Sequence, residues 1–426
     1  MNLQVNKSLI AGDVFVPGSK SHTIRAIVGG MMADGVSYIR YPLKSADTIS
    51  CFNAAKSFGI KITESENLWR VEGRGGELSV PTAPIDMGNS GTGIKFFAGL
   101  ASLKEFESTF VGDESLCSRP MQPLLSALEN LGCRTESNHG KAPLRVQGPY
   151  QGGFSEVEGI SSQYLSALLF AAPYGKIRSV FEVPLLNEKP YVGITLKWLD
   201  LLKVTYEADL ASGHFELEGN QKFAPFDLNI PADFSTAAFP LAAAALAGGE
   251  EGVKIHNLDF NDVQGDKAVF DYLAMAGADI SRQNGFCQVF GSSDKMHGVE
   301  IDMNATPDAL PIMAVALAAA KGESRIYNVA QARIKECDRI HCMCVELKKL
   351  GVEVEELPDG MVIHGGRIHG GEVTSYGDHR IAMALAVAGL IAESPVIIED
   401  AGACTVTYPN FIRDFQQLGA NFKITE

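Results

Sequence analysis

The chain has 426 residues, 46% of them hydrophobic and 20% charged, the make-up of a globular protein of two or three domains with a large core. Its net charge of −15 argues against a nucleic-acid partner, because binding a phosphate backbone needs a basic face. The same charge means that any anionic ligand must be held by a local group of cations.

The first stretch, "MNLQVNKSLIAGD", has no long apolar core and no small-residue cleavage site, so no signal peptide is expected. "PGSKSHTIRA" follows at residues 17–26 and sets Lys20, Ser21, Thr23 and Arg25 directly ahead of an apolar run. Hydroxyls satisfy the N–H groups of a first helical turn. Cations work against the positive end of the helix dipole, and they suit a bound anion there. An ordinary cap and an anion site are both open on this stretch alone.

The pattern then returns. Polar clusters precede apolar helices that begin at Ile24, Ile94, Leu165, Ala237, Leu310 and Ile381, a repeat of about 70 residues. A second marker keeps the same beat: an amphipathic helix, a stop and a strand. Five stops carry a glycine (Gly59, Gly132, Gly277, Gly351 and Gly419), the residue that best adopts the left-handed C-cap, and the third copy lacks one. Helices apolar on every side must be buried all round, while the amphipathic ones cover a sheet face. The fold class is therefore α/β, with two pseudo-symmetric domains of three repeated units each and buried parallel helices. The first is expected over 16–231. The second is expected over 232–426 with the N-terminal strand 1–15 added. A cleft between them would gather six helix N-termini.

The longest apolar runs reach about a dozen residues, too short to span a bilayer. Eight cysteines without regular spacing read as cytosolic free thiols, so the expected location is the cytoplasm. Cys337, His341 and Cys344 could share a helix face, but no fourth metal ligand is apparent.

Six motifs, "PGSKSHTIRA", "GNSGTG", "GDESLCSRPM", "SSQYLSALL", "KECDR" and "GDHR", occur in an order and spacing that resemble the EPSP synthases, enzymes of the enolpyruvyl transferase fold. The resemblance covers the whole chain. It implies transfer of the enolpyruvyl group of phosphoenolpyruvate to the 5-hydroxyl of shikimate 3-phosphate with release of phosphate, in aromatic amino acid biosynthesis. It implies phosphoenolpyruvate on Lys20, Asn89, Gly91, Thr92, Arg119, Gln163, Arg339 and Arg380. It implies shikimate 3-phosphate on Lys20, Ser21, Arg25, Ser161, Ser162, Gln163, Tyr191, Asp308 and Lys335, with Ser161, Ser162 and Lys335 on the phosphate. Lys20, Asp308, Glu336 and His379 would move protons. No metal or cofactor is implied, and the chain is expected to act as a monomer. Gly91 would also leave room for glyphosate, which competes with phosphoenolpyruvate in this family.

Three positions depart from the family's commonest pattern. Lys95 stands where arginine is usual, and Glu188 stands where a serine usually touches the substrate phosphate. Val406 occupies a segment where some members carry a lysine. An acid at 188 is expected to point away from the phosphate or to pair with Lys189. Two other readings stay open: a related transferase acting on a UDP-amino sugar, and a non-catalytic anion-binding relative. The sister transferase uses a loop cysteine, and Cys117 lies in the corresponding loop at a spacing that does not match.

Overall fold

The computed structural model describes residues 1–283 and 285–425, and the chain divides into two compact units. One comprises Gly18–Ile230, and the other comprises Met1–Pro17 with Pro231–Glu426. Each unit is built around three buried helices. In the first they are α1 (Lys20–Met32), α2 (Gly91–Ala101) and α3 (Ser162–Ala171). In the second they are α4 (Phe234–Ala247), α5 (Leu310–Ala318) and α6 (His379–Gly389). These helices are rich in alanine and glycine, so neighbouring backbones approach closely. A Cβ on Gly99 of α2 would lie 3.0 Å from the Ala167 carbonyl oxygen of α3.

Every repeat adds one four-stranded sheet, giving six among the described residues. Each has a parallel pair at one edge and antiparallel pairing beyond it, as in Gly153–Glu156 beside Ser179–Glu182, followed by His214–Leu217 and Tyr206–Asp209. Strands from outside a repeat complete some sheets. Asp227–Asn229 pairs with Val36–Arg40 in the first unit. In the second, Asn2–Asn6 is inserted between Val396–Glu399 and Asn421–Thr425. Gly389 of α6 rests on that inserted strand, and a Cβ there would meet Val5 Cβ at 2.6 Å.

The five glycine stops have φ between 80° and 103°, the left-handed conformation that a C-cap requires. The third repeat, which has no glycine, makes the same turn with Lys203 at φ 63°. The stop is thus a property of the repeat's geometry, imposed there on a residue that disfavours it. Cys337 lies ahead of the helix Arg339–Lys349, His341 is exposed and bonded to Glu356, and Cys344 is buried, so these three do not share one face. All eight cysteines are free thiols. No helix of the described residues is long and apolar enough to cross a membrane.

Candidate active site

In the first unit, all three buried helices are capped by serine. Ser19, Ser90 and Ser161 each accept a backbone N–H of the first turn, from His22, Gly93 and Gln163. A serine cap contributes about 1 kcal/mol and adds no charge of its own to the positive end of the helix dipole. Lys20 begins α1, and its Nζ lies 3.0 Å from Asp47 Oδ2. One turn further on, Arg25 is fully buried. It donates to Thr195 Oγ1 at 3.0 and 2.9 Å and to the carbonyls of Ser21 and Tyr191, both at 3.1 Å. Its guanidinium also lies 5.1 Å from the centre of the Phe96 ring. No carboxylate pairs with Arg25 among the described residues. Burial pulls its pKa down to about 9, with Tyr191 acting in the opposite sense. A guanidinium keeps its proton at neutral pH, so the direction expresses the cost of burying an unpaired charge.

The starts of α2 and α3 are tied together. Gln163 Nε2 donates to Thr92 Oγ1 at 3.0 Å, and Lys95 Nζ donates to Gln163 Oε1 at 2.9 Å and to Gly91 O at 3.0 Å. Arg119 reaches the same place from the loop after the short helix Glu114–Ser118, donating to Asn89 and to Ser115 Oγ. Asn89 is in turn held by Asp113 at 2.8 Å. A Cβ on Gly91 would lie 2.6 Å from Arg119 Nη1, so the missing side chain makes room for the guanidinium. At the start of α3, Ser162 donates its N–H and its hydroxyl to Glu188 Oε2, at 3.2 and 2.8 Å. The expectation that Glu188 turns away or pairs with Lys189 is therefore corrected. A left-handed backbone at Glu188 (φ 53°) carries the carboxylate onto the helix end.

In the second unit the helix starts are acidic. Asp233 caps α4 and Asp378 caps α6, while Asp308 sits on the 3-10 turn Pro307–Ala309 that leads into α5. Arg339, buried, is held by three carboxylates: Nε to Asp378 at 2.7 Å, Nη1 to Asp308 at 2.8 Å and Nη2 to Glu336 at 2.6 Å. Arg380 Nη2 takes the second oxygen of Asp308 at 2.8 Å. Burial alone would push the Asp308 carboxyl up, but Arg380, Lys335 and Arg339 outweigh it and hold it well below the usual carboxylate range. Burial opposes the charge on Arg339, yet Asp378, Glu336 and Asp308 raise its pKa well above the ordinary value. His379 is buried in the first turn of α6 beside this network.

Two constellations thus form, one in each unit. Lys20, Ser21, Arg25, Asn89, Gly91, Thr92, Arg119, Ser161, Ser162, Gln163 and Tyr191 lie at or beside the helix starts of the first. Asp308, Lys335, Glu336, Arg339, His379 and Arg380 lie at or beside those of the second. Sequence reasoning missed Asp47, Thr195 and the pairing role of Asp378. Asp47 and Thr195 are 27 and 170 residues from the cations they hold, with no local signal. Asp378 stands one residue ahead of an apolar helix, where a cap is expected, but its hold on Arg339, 39 residues away, has no local signal.

Residues 5–415 match the family model described as EPSP synthase (3-phosphoshikimate 1-carboxyvinyltransferase). The chain is 44% identical to the 3-phosphoshikimate 1-carboxyvinyltransferase of Acetivibrio thermocellus and 42% identical to that of Ruminiclostridium cellulolyticum, with all of each chain covered. It is 40% identical to the enzyme of the same name from Methanocorpusculum labreanum, over 99% of this chain and 100% of that one. Among solved structures, an EPSP synthase from Acinetobacter baumannii superposes with a TM-score of 0.83 at 24% identity, covering 100% of both chains, which shows a shared fold.

Proposed function

Since the chain belongs to the EPSP synthase family, whose members are enzymes that transfer a carboxyvinyl group to 3-phosphoshikimate, we propose that its two constellations bind and activate the two substrates of that reaction. Phosphoenolpyruvate supplies the enolpyruvyl group, and the 5-hydroxyl of shikimate 3-phosphate accepts it. Arg119, Arg339 and Arg380 take the carboxylate and phosphate of phosphoenolpyruvate, for which the planar guanidinium fork is suited. Lys20, Asn89, Gly91, Thr92 and Gln163 serve the same substrate. Ser161, Ser162 and Lys335 take the acceptor's phosphate. Ser21 and Arg25 take its carboxylate side, and Gln163 and Tyr191 lie against its ring.

The reaction adds a proton to the methylene carbon of phosphoenolpyruvate as the acceptor hydroxyl attacks the neighbouring carbon. A tetrahedral intermediate forms. A proton then leaves the new methyl group, the double bond returns and phosphate departs. Asp308 accepts the hydroxyl proton, and Lys20, Glu336 and His379 are the groups that exchange protons with the carbon and the leaving phosphate. Such groups typically contribute about 10²–10⁴-fold each. Asp308 is engaged by Arg339 and Arg380. Anionic substrate drawing those arginines away returns basicity to Asp308, so binding and activation are linked.

The observation that carries this reading is the Arg339–Asp308–Arg380 bridge with Glu336 on the same arginine. It is a chain of hydrogen bonds that runs from Glu336 through Arg339 and Asp308 to Arg380, and it supports a site in which carboxylates that move protons adjoin arginines that hold anions. The reading is tested by following phosphate release from phosphoenolpyruvate with shikimate 3-phosphate and, in parallel, with UDP-N-acetylglucosamine. Release with the first acceptor alone is the expected outcome, and release with only the second assigns the chain to another acceptor. We further propose that the protein acts in the cytoplasm as a monomer, a location that its free thiols support.

A further inference from the structure

Glu188 is 1% exposed and sits on the N-terminus of a helix that has no acidic residue in its own first turn. Both donors that Ser162 offers, its backbone N–H and its hydroxyl, end on one oxygen of that carboxylate. A serine hydroxyl has a single proton to donate. A phosphate arriving at Ser162 therefore cannot share that proton with Glu188, and two anions at one helix end repel each other. The backbone gives no easy way out. Glu188 begins the helix Lys189–Leu201, its carbonyl accepts from Tyr191 N at 2.9 Å, and the preceding Asn187 N–H is bonded to Gly159 O at 3.1 Å. Only rotation of the side chain can vacate the place.

We propose that Glu188 is an internal occupant of the acceptor's phosphate subsite, a specificity residue whose carboxylate must swing off Ser162 before a phosphorylated acceptor can bind. The inference rests on the reading above that Ser161 and Ser162 hold that phosphate. The displacement lowers affinity for the phosphorylated acceptor and leaves an acceptor without phosphate almost untouched. Glu188 thus narrows the advantage that the phosphate confers.

The test is calorimetric titration of the full chain, as wild type, Glu188→Ser and Glu188→Gln, with shikimate 3-phosphate, shikimate and phosphoenolpyruvate in turn. Shikimate 3-phosphate is expected to bind Glu188→Ser at least about tenfold more tightly than wild type, the equivalent of one charge-assisted hydrogen bond regained. Glu188→Gln, which keeps the shape and removes the charge, is expected to show a smaller gain and carries the test if the serine variant does not fold. Shikimate and phosphoenolpyruvate should be unaffected. Shikimate 3-phosphate affinity unchanged or weakened in both variants overturns the proposal, as does an equal gain for shikimate, or no binding of shikimate 3-phosphate to any of the three. Phosphate release by the wild type is measured separately, so a failure of the reaction reading shows as absent turnover whatever the titrations give.

Discussion

The two units solve the same helix-packing problem and treat charge at the helix starts in opposite ways. In Gly18–Ile230 the caps are Ser19, Ser90 and Ser161, and the buried Arg25 meets only neutral oxygens and an aromatic face. In the other unit the corresponding places carry Asp233, Asp308 and Asp378, and Arg339 is saturated with carboxylates. The first arrangement leaves Arg25 without a counter-charge, at a cost in stability that a bound anion would offset. The second balances its arginines with carboxylates, which a bound anion would have to displace. A buried arginine among carboxylates and one among neutral oxygens are therefore different instruments, although both follow a polar cluster at a helix start.

The largest effect expected is on turnover. Asp308→Asn removes the carboxylate that bridges Arg339 and Arg380 and should lower kcat by about 10²–10⁴-fold while substrate binding survives. Steady-state kinetics with direct binding measurements checks it, and near-normal turnover would remove Asp308 from the proton-transfer scheme. Next comes a paired stability experiment. Arg339→Met strands three carboxylates and should cost about 3–5 kcal/mol, whereas Arg25→Met removes an unpaired buried charge and should cost about 1 kcal/mol or less. Urea unfolding of both variants reads the difference, and equal losses would erase the distinction between the units. Arg25→Met should still weaken binding of shikimate 3-phosphate.

A smaller change is expected from Gly91→Ala. Its methyl would press on Arg119 Nη1 and should raise KM for phosphoenolpyruvate about tenfold, the size of one disturbed charge-assisted contact. Glyphosate titrated at several phosphoenolpyruvate concentrations should show competitive inhibition weakened in the same variant. The smallest effect is in the acid profile. Asp308 has a folded pKa below its ordinary value of about 3.9, so its contribution to stability is complete above that pH and is lost as pH falls below it. Asp308→Asn should flatten the decline in unfolding free energy between about pH 5 and pH 2. A slope identical to wild type would mean that the carboxylate is not held low.

What the sequence disclosed follows physical lines. Six all-apolar helices on a beat of about 70 residues announce buried helices, because no other environment accepts them. Glycines at five stops announce left-handed turns, but Lys203 makes the sixth with nothing in its chemistry to advertise it. Lys20, Arg25 and Arg380 were legible as cations from their place beside helix caps, while Arg119, Lys335 and Arg339 were reached only through the family resemblance. Their partners were not, since Thr195 and Asp47 come to Arg25 and Lys20 through packing rather than local pattern. Glu188 was visible as an anomaly, but whether it faced Ser162 or solvent depended on one left-handed residue.

The strand Asn2–Asn6, inserted between Val396–Glu399 and Asn421–Thr425, has a consequence for biosynthesis. It leaves the ribosome long before its partners. At about 5–20 residues per second, the roughly 400 residues between them impose a wait of about 20–80 seconds. Gly18–Ile230 is complete in sequence long before that wait ends and is free to fold during translation. The other unit can close only once Asn421–Thr425 has been made and Asn2–Asn6 finds the slot between its two partners. For that interval the nascent chain carries an unpaired strand with two apolar side chains, Leu3 and Val5, that are destined for the core.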